Sequence, residues 1–390
     1  MPSLFRRLLL SLLTMLIGLS VGLLLVEGGA RLVLDPVDYL KPVLSRHEVL
    51  GHAIESGSAH HDRWGFRNSE VPDTVQIVAI GDSNTYGVAA TSRNAWPAAL
   101  ARITGKSVYN MGLGGYGPVQ YAHLLETKAL TLNPEQVIVG LTFGNDFLDG
   151  YWMVYGNPHW AHLKQSDHQP ATAIANPADS FGPERNPSHN WLGWKEWLLN
   201  GWPSQKSVAF RALLYSPLGQ IMRVASGRNS AQQTAHDAEH VPFSDQTLGV
   251  RTLLTPHLRM QALNPEDPGI QEGVRIALER LQAMAKLCRK RGVGFTVLLF
   301  PTKELVVADA LSRHAELAHH PTLQRLLAGE TRLRARVVAT LSAAGIPYVD
   351  PLPKLRNALE KGPIYPADHD GHPNAGGYRV IAESVKSFFQ

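Results

Sequence analysis

The chain has 390 residues, 44% hydrophobic and 18% charged, an ordinary globular composition long enough for one large domain or two smaller ones. Its formal net charge of +4 comes with no dense Lys/Arg block and no aromatic-basic stripe, so nucleic acid is not an expected partner. Cys288 is the only cysteine, which excludes an internal disulfide and a cysteine metal cluster.

Leu8 to Val26 (LLLSLLTMLIGLSVGLLLV) carries no charge and is long enough to span a bilayer core as a helix. Arg6 and Arg7 precede it, which places the N-terminus in the cytoplasm and the rest of the chain outside it. The alternative is a cleaved signal peptide, whose apolar region is shorter and ends at a small-x-small site. Here Glu27 follows the run, and Gly28-Gly29-Ala30 is a poor cleavage site, so an uncleaved anchor is the favoured reading. Residues 1–35 form the cytoplasmic stub and anchor, and 36–72 a juxtamembrane segment. That segment contains HHDRWGFRN, in which the adjacent His60, His61 and Asp62 are poorly placed to converge on one metal ion.

From 73 to 390 strands and helices alternate. Val75 to Ile80 reads as a buried strand, Asn94 to Ile103 as a helix, Lys106 to Tyr109 as a strand and Val119 to Leu130 as a helix. QVIVGLT (Gln136 to Thr142) is a strand. Val274, Ala277, Leu278, Leu281, Ala285 and Cys288 recur at helical spacing, which makes Cys288 a small buried hydrophobe. Val293 to Phe300 is a strand, about Thr331 to Ala344 a helix, Ile346 to Val349 a strand and about Ala375 to Phe389 a helix. Unbroken apolar strands separated by helices predict an α/β fold with a parallel sheet covered on both faces.

Residues 151–269 interrupt the alternation. Six of the eight tryptophans lie there, from Trp152 to Trp202. A connection this long is a functional insertion, lid or subdomain. Its tryptophans form either a small core of their own or a sugar-stacking or membrane-facing surface, and WLGWKEWLL (Trp191 to Leu199) reads as a helix suited to the bilayer interface.

In an open parallel sheet, ligands bind beyond the carboxyl ends of the strands. Gly81-Asp82-Ser83-Asn84-Thr85 follows the first strand, Asn110 to Gly117 (NMGLGGYG) the second and Gly144-Asn145-Asp146 the third. Asp368 to Asn374 (DHDGHPN) stands just before the last helix. These are the parts of acyl transfer: a hydroxyl nucleophile in Ser83, a base in His372, a nearby carboxylate to orient it, and amide donors for an oxyanion. The second loop also fits G-x-G-x-x-G at Gly112, Gly114 and Gly117, but the strand QVIVGLT, about 20 positions on, offers no acidic residue for a dinucleotide site.

In this order the blocks resemble the SGNH (GDSL-type) hydrolase family. IVAIGDSNTYG, NMGLGGYG, FGNDFLDG and DGHPNAGGY carry the likeness, over about residues 60 to 150 and 270 to 390. Asp62 to Asn68 (DRWGFRN) and FPTKE after the fourth strand are similar to bacterial membrane-anchored members. The resemblance implies a three-layer flavodoxin-like fold, with Ser83 as nucleophile, His372 as base, and Ser83, Gly115 and Asn145 as oxyanion donors. It implies no metal and no organic cofactor. Two positions depart from the pattern. Phe143 stands where the asparagine block usually has glycine, with Gly144 directly before Asn145. His369 stands where the acid usually lies, three residues before the histidine. Asp370 is then the first candidate for the acid, in a D-x-H spacing that resembles alginate-acetylation proteins, and Asp368 the second.

The expected function is a carboxylic-ester hydrolase of the bacterial inner membrane, facing the periplasm. Its expected substrate is an acylated small molecule, glycan or glycolipid. An acyltransferase using the same residues, and a non-catalytic envelope assembly protein, are the alternatives.

Overall fold

A computed structural model describes residues 2–165, 201–215 and 240–389. Its centre is a parallel sheet of five strands: β3 (Ile77–Gly81), β4 (Val108–Gly112), β5 (Gln136–Thr142), β8 (Gly294–Phe300) and β9 (Tyr348–Val349). The spatial order is β4-β3-β5-β8-β9. The chain therefore runs outward from β3 to the edge strand β4, then returns past β3 to build the other half. That reversal, between β3 and β5, is where doubly wound sheets bind ligands. Two antiparallel hairpins flank the sheet, β1 (Leu44–His47) with β2 (Gly51–Ile54) and β6 (Val241–Asp245) with β7 (Val250–Leu254).

Alternation along each strand splits the core into two layers. Val78, Ile80, Val137, Val139, Val297 and Leu299 face one side. There they meet apolar stripes of the helices Pro118–Thr127, Pro268–Lys290 and Pro321–Ala343. Ile77, Ala79, Ile138, Leu298 and Phe300 face the other side, against Trp96–Thr104 and Ala375–Phe388. Each fully buried Leu, Ile or Val contributes about 1.5–3 kcal/mol. This is the α/β flavodoxin-like architecture that the sequence implied.

Local chemistry starts the helices. Asp267 accepts from the amides of Gly269 and Ile270 with Pro268 in the first turn, and Asn374 caps the last helix through Gly376 and Gly377. The helix expected from about Thr331 begins ten positions earlier, at Pro321. His320 and Pro321 start it, and the intervening Arg and Gln residues hide the stripe begun by Leu323 and Leu326. A helix that the sequence reading did not include, Asp146–Gly156, runs through the position where the insertion was drawn to begin. Gly150, at that boundary, sits buried inside the helix.

The segment between the apolar helix and β3 laces the sheet edge. Asn68 Nδ2 donates to the Asn110 carbonyl (2.9 Å) and the Asn110 amide donates to Asn68 Oδ1 (3.0 Å), so a side chain pairs with edge strand β4. Asp62 accepts from the amides of Trp64 and Phe66 and from Tyr109 Oη. Arg67, buried against Asp38 at 2.7 Å, donates to the carbonyls of Gly87 and Ala90 just after the Ser83 turn. His61 stacks on Tyr86 and lies 2.9 Å from its hydroxyl.

Phe5–Val33 is one helix, long and apolar enough to cross a membrane. At its end Glu27 accepts from Ser207 Oγ and from the amides of Val208 and Ala209, which open the helix Val208–Tyr215. Within the insertion, Trp160 packs with Val119, Val154 and Ile276 and donates its indole N–H to the Val49 carbonyl, while Trp202 is exposed. The reading of Trp191 to Leu199 lies outside the described residues.

Candidate active site

β3 delivers its last residue, Gly81, into the turn that carries Ser83. Asp82, fully buried, caps the short helix Ser83–Tyr86 by accepting from the Asn84 amide. The turn lies directly on β4. A Cβ at Gly112 would stand 2.2 Å from the Tyr86 amide nitrogen, so no larger residue fits beneath the serine helix. Ser83 ends half-buried at the sheet rim, in the wall of a cavity.

Across that rim stands the loop before the last helix. His372 Nε2 lies 2.7 Å from Ser83 Oγ, and Nδ1 lies 2.5 Å from Asp370 Oδ1. With Nδ1–H donating to the carboxylate, the Nε2 lone pair is left to accept the serine proton. Asp370 Oδ1 also accepts from the His372 amide at 2.9 Å. Burial works to raise the Asp370 carboxyl, but the hydrogen bonds and charge of His372 outweigh it and hold it below the usual range. The other sequence candidate, Asp368, accepts from the Asp370 amide and shapes the turn.

A buried cation holds this loop. Lys303 Nζ shares its three N–H groups among the carbonyls of Leu253, Asp368 and Asp370 and Thr252 Oγ1, all within 3.1 Å. Burial pushes its ammonium down to about 8, against the charges of Glu304 and Asp370. The FPTKE run therefore organises the rim. Thr302 donates to the buried Glu330, which burial pushes up to about 7. Glu304 accepts from the Thr255 amide at the start of the helix Pro256–Leu263.

Asn145, at the end of β5, precedes the helix Asp146–Gly156. Its Nδ2 donates to Asp149 (2.7 Å) and lies within 3.3 Å of Asp82 and 3.4 Å of Asp146. Burial and the charge of Asp82 raise Asp149 to about 7, although the Asn145 hydrogen bond and Arg259 oppose this. Burial and Asp82 also raise Asp146, which accepts from the Thr142 amide and sits beside the Tyr121 hydroxyl. Three carboxyls thus stand beneath one amide, and only an arrangement that withholds part of their charge is stable there.

Ser83, Asn145 and His372 share a cavity of about 110 Å³ with Thr302, Lys303 and Arg259. Gly115 is not among its lining residues; it takes a left-handed φ of +76°. Gly114 stands nearer the nucleophile, since a Cβ there would lie 3.6 Å from Ser83 Cβ. Sequence reasoning missed Lys303, Asp149 and Arg259 as parts of the site. For Lys303 a signal existed, a lysine just past the carboxyl end of a predicted strand. Arg259 left none, because its helix lies in the insertion.

The hydrogen-bonded chain from Ser83 to Asp370 stands on an α/β fold, and the match to a family of acylhydrolases defines the class, an enzyme acting on ester bonds. The chain belongs to the GDSL-like lipase/acylhydrolase family, whose model matches residues 79–380. It is similar in structure to a lipolytic G-D-S-L-family protein from Desulfitobacterium hafniense (12% identity, TM-score 0.38, covering 80% of this chain and 99% of that one). A GDSL-like lipase from Bacteroides thetaiotaomicron aligns with 10% identity and a TM-score of 0.35, covering 82% and 91%. A catalytic mutant of an acetylxylan esterase from Geobacillus stearothermophilus aligns with 12% identity and a TM-score of 0.34, covering 81% and 94%. No curated protein matches the chain.

Proposed function

We propose that Ser83, His372 and Asp370 form the catalytic triad of a membrane-anchored esterase. Its substrate is an O-acetyl or other short acyl ester on an envelope glycan or glycolipid. The observation that carries this is the 2.7 Å contact between Ser83 Oγ and His372 Nε2, continued to Asp370. Ser83 Oγ attacks the ester carbonyl carbon while its proton passes to Nε2. The carbonyl electron pair moves onto oxygen, which accepts from the Ser83 amide and from Asn145 Nδ2. Asn145 keeps one hydrogen on Asp149 and turns the other from its longer Asp82 contact. Collapse breaks the bond to the alcohol, which takes the proton from His372. Water then attacks the acyl-serine, gives its proton to His372 and releases the acid, and Ser83 regains its hydrogen.

The small cavity suits an acetyl group better than a long acyl chain, and its polar walls suit a hydroxyl-rich alcohol. The anchor stays attached in this reading, with the catalytic part in the periplasm. Glu27 and Arg31 stand on either side of Gly28 to Ala30, and both bind the 206–209 segment. Cleavage there would discard the Glu27 contacts. The test is acetate release from nitrophenyl acetate by the detergent-solubilised full chain, beside Ser83→Ala and His372→Ala. Turnover confined to the unaltered chain is expected. Equal rates in all three would overturn the reading, and product formed only with an added sugar acceptor would replace hydrolysis by transfer.

A further inference from the structure

Arg259 comes from the insertion, on the helix Pro256–Leu263, and reaches the wall of the serine cavity. Its guanidinium occupies space that two glycines leave open. A Cβ at Gly144 would meet Arg259 Nη1 at 3.1 Å, and a Cβ at Gly371 would meet Nη2 at 2.5 Å. Gly144 directly precedes Asn145, and Gly371 directly precedes His372. The two glycines therefore admit one cation between the amide and the base of the site, which gives the displaced glycine of the asparagine block a physical reason. The guanidinium, a planar fork of five N–H donors, lines the cavity that holds Ser83 and His372. The carboxyl whose charge it opposes, Asp149, is engaged by Asn145 and raised to about 7.

The geometry points to Arg259 as an anion subsite, which binds a carboxylate or phosphate carried on the alcohol portion of the ester. Resting on the esterase reading above, this assigns the substrate class as esters of acidic alcohols. A planar fork of donors matches either anion in a bidentate pair. The alcohol side follows from Gly371. The cation stands beside the residue before His372, and His372 is the group that protonates the departing alcohol.

The test compares kcat/KM for acetyl lactate with that for isopropyl acetate, which replaces the carboxylate by methyl. A second pair, acetyl glycerol phosphate against monoacetin, separates phosphate from carboxylate. One or both anionic esters are expected to be preferred by about tenfold or more, with the preference in KM and weakening as salt rises. In Arg259→Gln the ratio falls toward one, and Arg259→Lys keeps part of it. A ratio unaltered in Arg259→Gln would overturn the subsite. So would an equal loss on both members of each pair, which marks a structural role. To separate this from failure of the esterase reading, binding of L-lactate and of glycerol phosphate is measured by calorimetry on Ser83→Ala and on Ser83→Ala/Arg259→Gln. Anion binding present only with Arg259 supports the subsite even if no ester is turned over, and binding equal in both proteins refutes it.

Discussion

Lys303 Nζ donates to the main-chain oxygen of Asp370 over 2.9 Å, so a buried ammonium from the end of β8 holds the loop that presents the imidazole. Lys303→Met leaves the carbonyls of Leu253, Asp368 and Asp370 without this donor. The expected costs are ~3 kcal/mol in stability and roughly tenfold or more in kcat, with KM little altered. Chemical denaturation and steady-state kinetics measure the two. The pH dependence separates a positioning role from a merely structural one. Above about 8 the folded amine loses a donor, so kcat falls as pH rises through that value. Stability moves the other way. The unfolded lysine keeps its proton to about 10.4, so between those values the unfolded chain binds more protons and folding strengthens as pH rises. Both trends vanish in Lys303→Met.

Asp370 and Asp368 separate cleanly by mutation. Ser83→Ala and His372→Ala are expected to lower kcat by ~10⁴ or more. Asp370→Ala removes the partner of His372 Nδ1 and is expected to cost about 10²–10³, less than loss of either other residue. Asp368→Ala touches only the turn and is expected to cost less than about tenfold. Reversal of the two aspartates in a kcat comparison would move the acid.

Asp149 gives stability a pH dependence of known sign. Its carboxyl holds a proton to about 7 in the folded chain and loses it near 3.9 when unfolded. Between those values the folded state binds more protons, so this group makes stability fall as pH rises, and the effect is flat above about 7. Asp149→Asn lacks the titration. The stability of the unaltered chain relative to Asp149→Asn is therefore expected to drop between about pH 4 and pH 7, read by denaturation at each pH. A constant difference across the range would contradict the assignment.

Gly112 sets the serine turn against β4. In Gly112→Ala the new methyl meets the Tyr86 amide and Thr85 backbone, so the Ser83 helix must shift. A loss of about 2 kcal/mol or more is expected, together with a fall in kcat out of proportion to KM. Full activity in a folded Gly112→Ala chain would show that the turn tolerates displacement.

Glu27 ties the apolar helix to the helix Val208–Tyr215 through the Val208 and Ala209 amides. The chain is expected to sediment with membranes, need detergent for release and keep its first residues by mass spectrometry. Glu27→Ala is expected to cost ~1 kcal/mol locally, seen as faster proteolysis near residues 206 to 210. A mature chain beginning at Arg31 would overturn the anchor.

Sequence alone was enough where a signal is local and periodic. QVIVGLT reads as a strand because unbroken apolar residues fit a sheet buried on both faces, and β5 has those bounds. The apolar helix, the alternating architecture and the polar loops at the strand ends are legible for the same reason. What only the tertiary structure decided are contacts between distant segments. Ser83 and His372 lie 289 positions apart and meet because the order β4-β3-β5-β8-β9 brings their loops to one rim. Asp370 faces the ring while Asp368 shapes the turn, a choice of side-chain direction that composition does not encode. Arg259 reaches the cavity because two glycines, remote from it and from each other in sequence, leave it space. Periodicity reports which face of an element is buried; which charge stands opposite which loop is set by packing between elements.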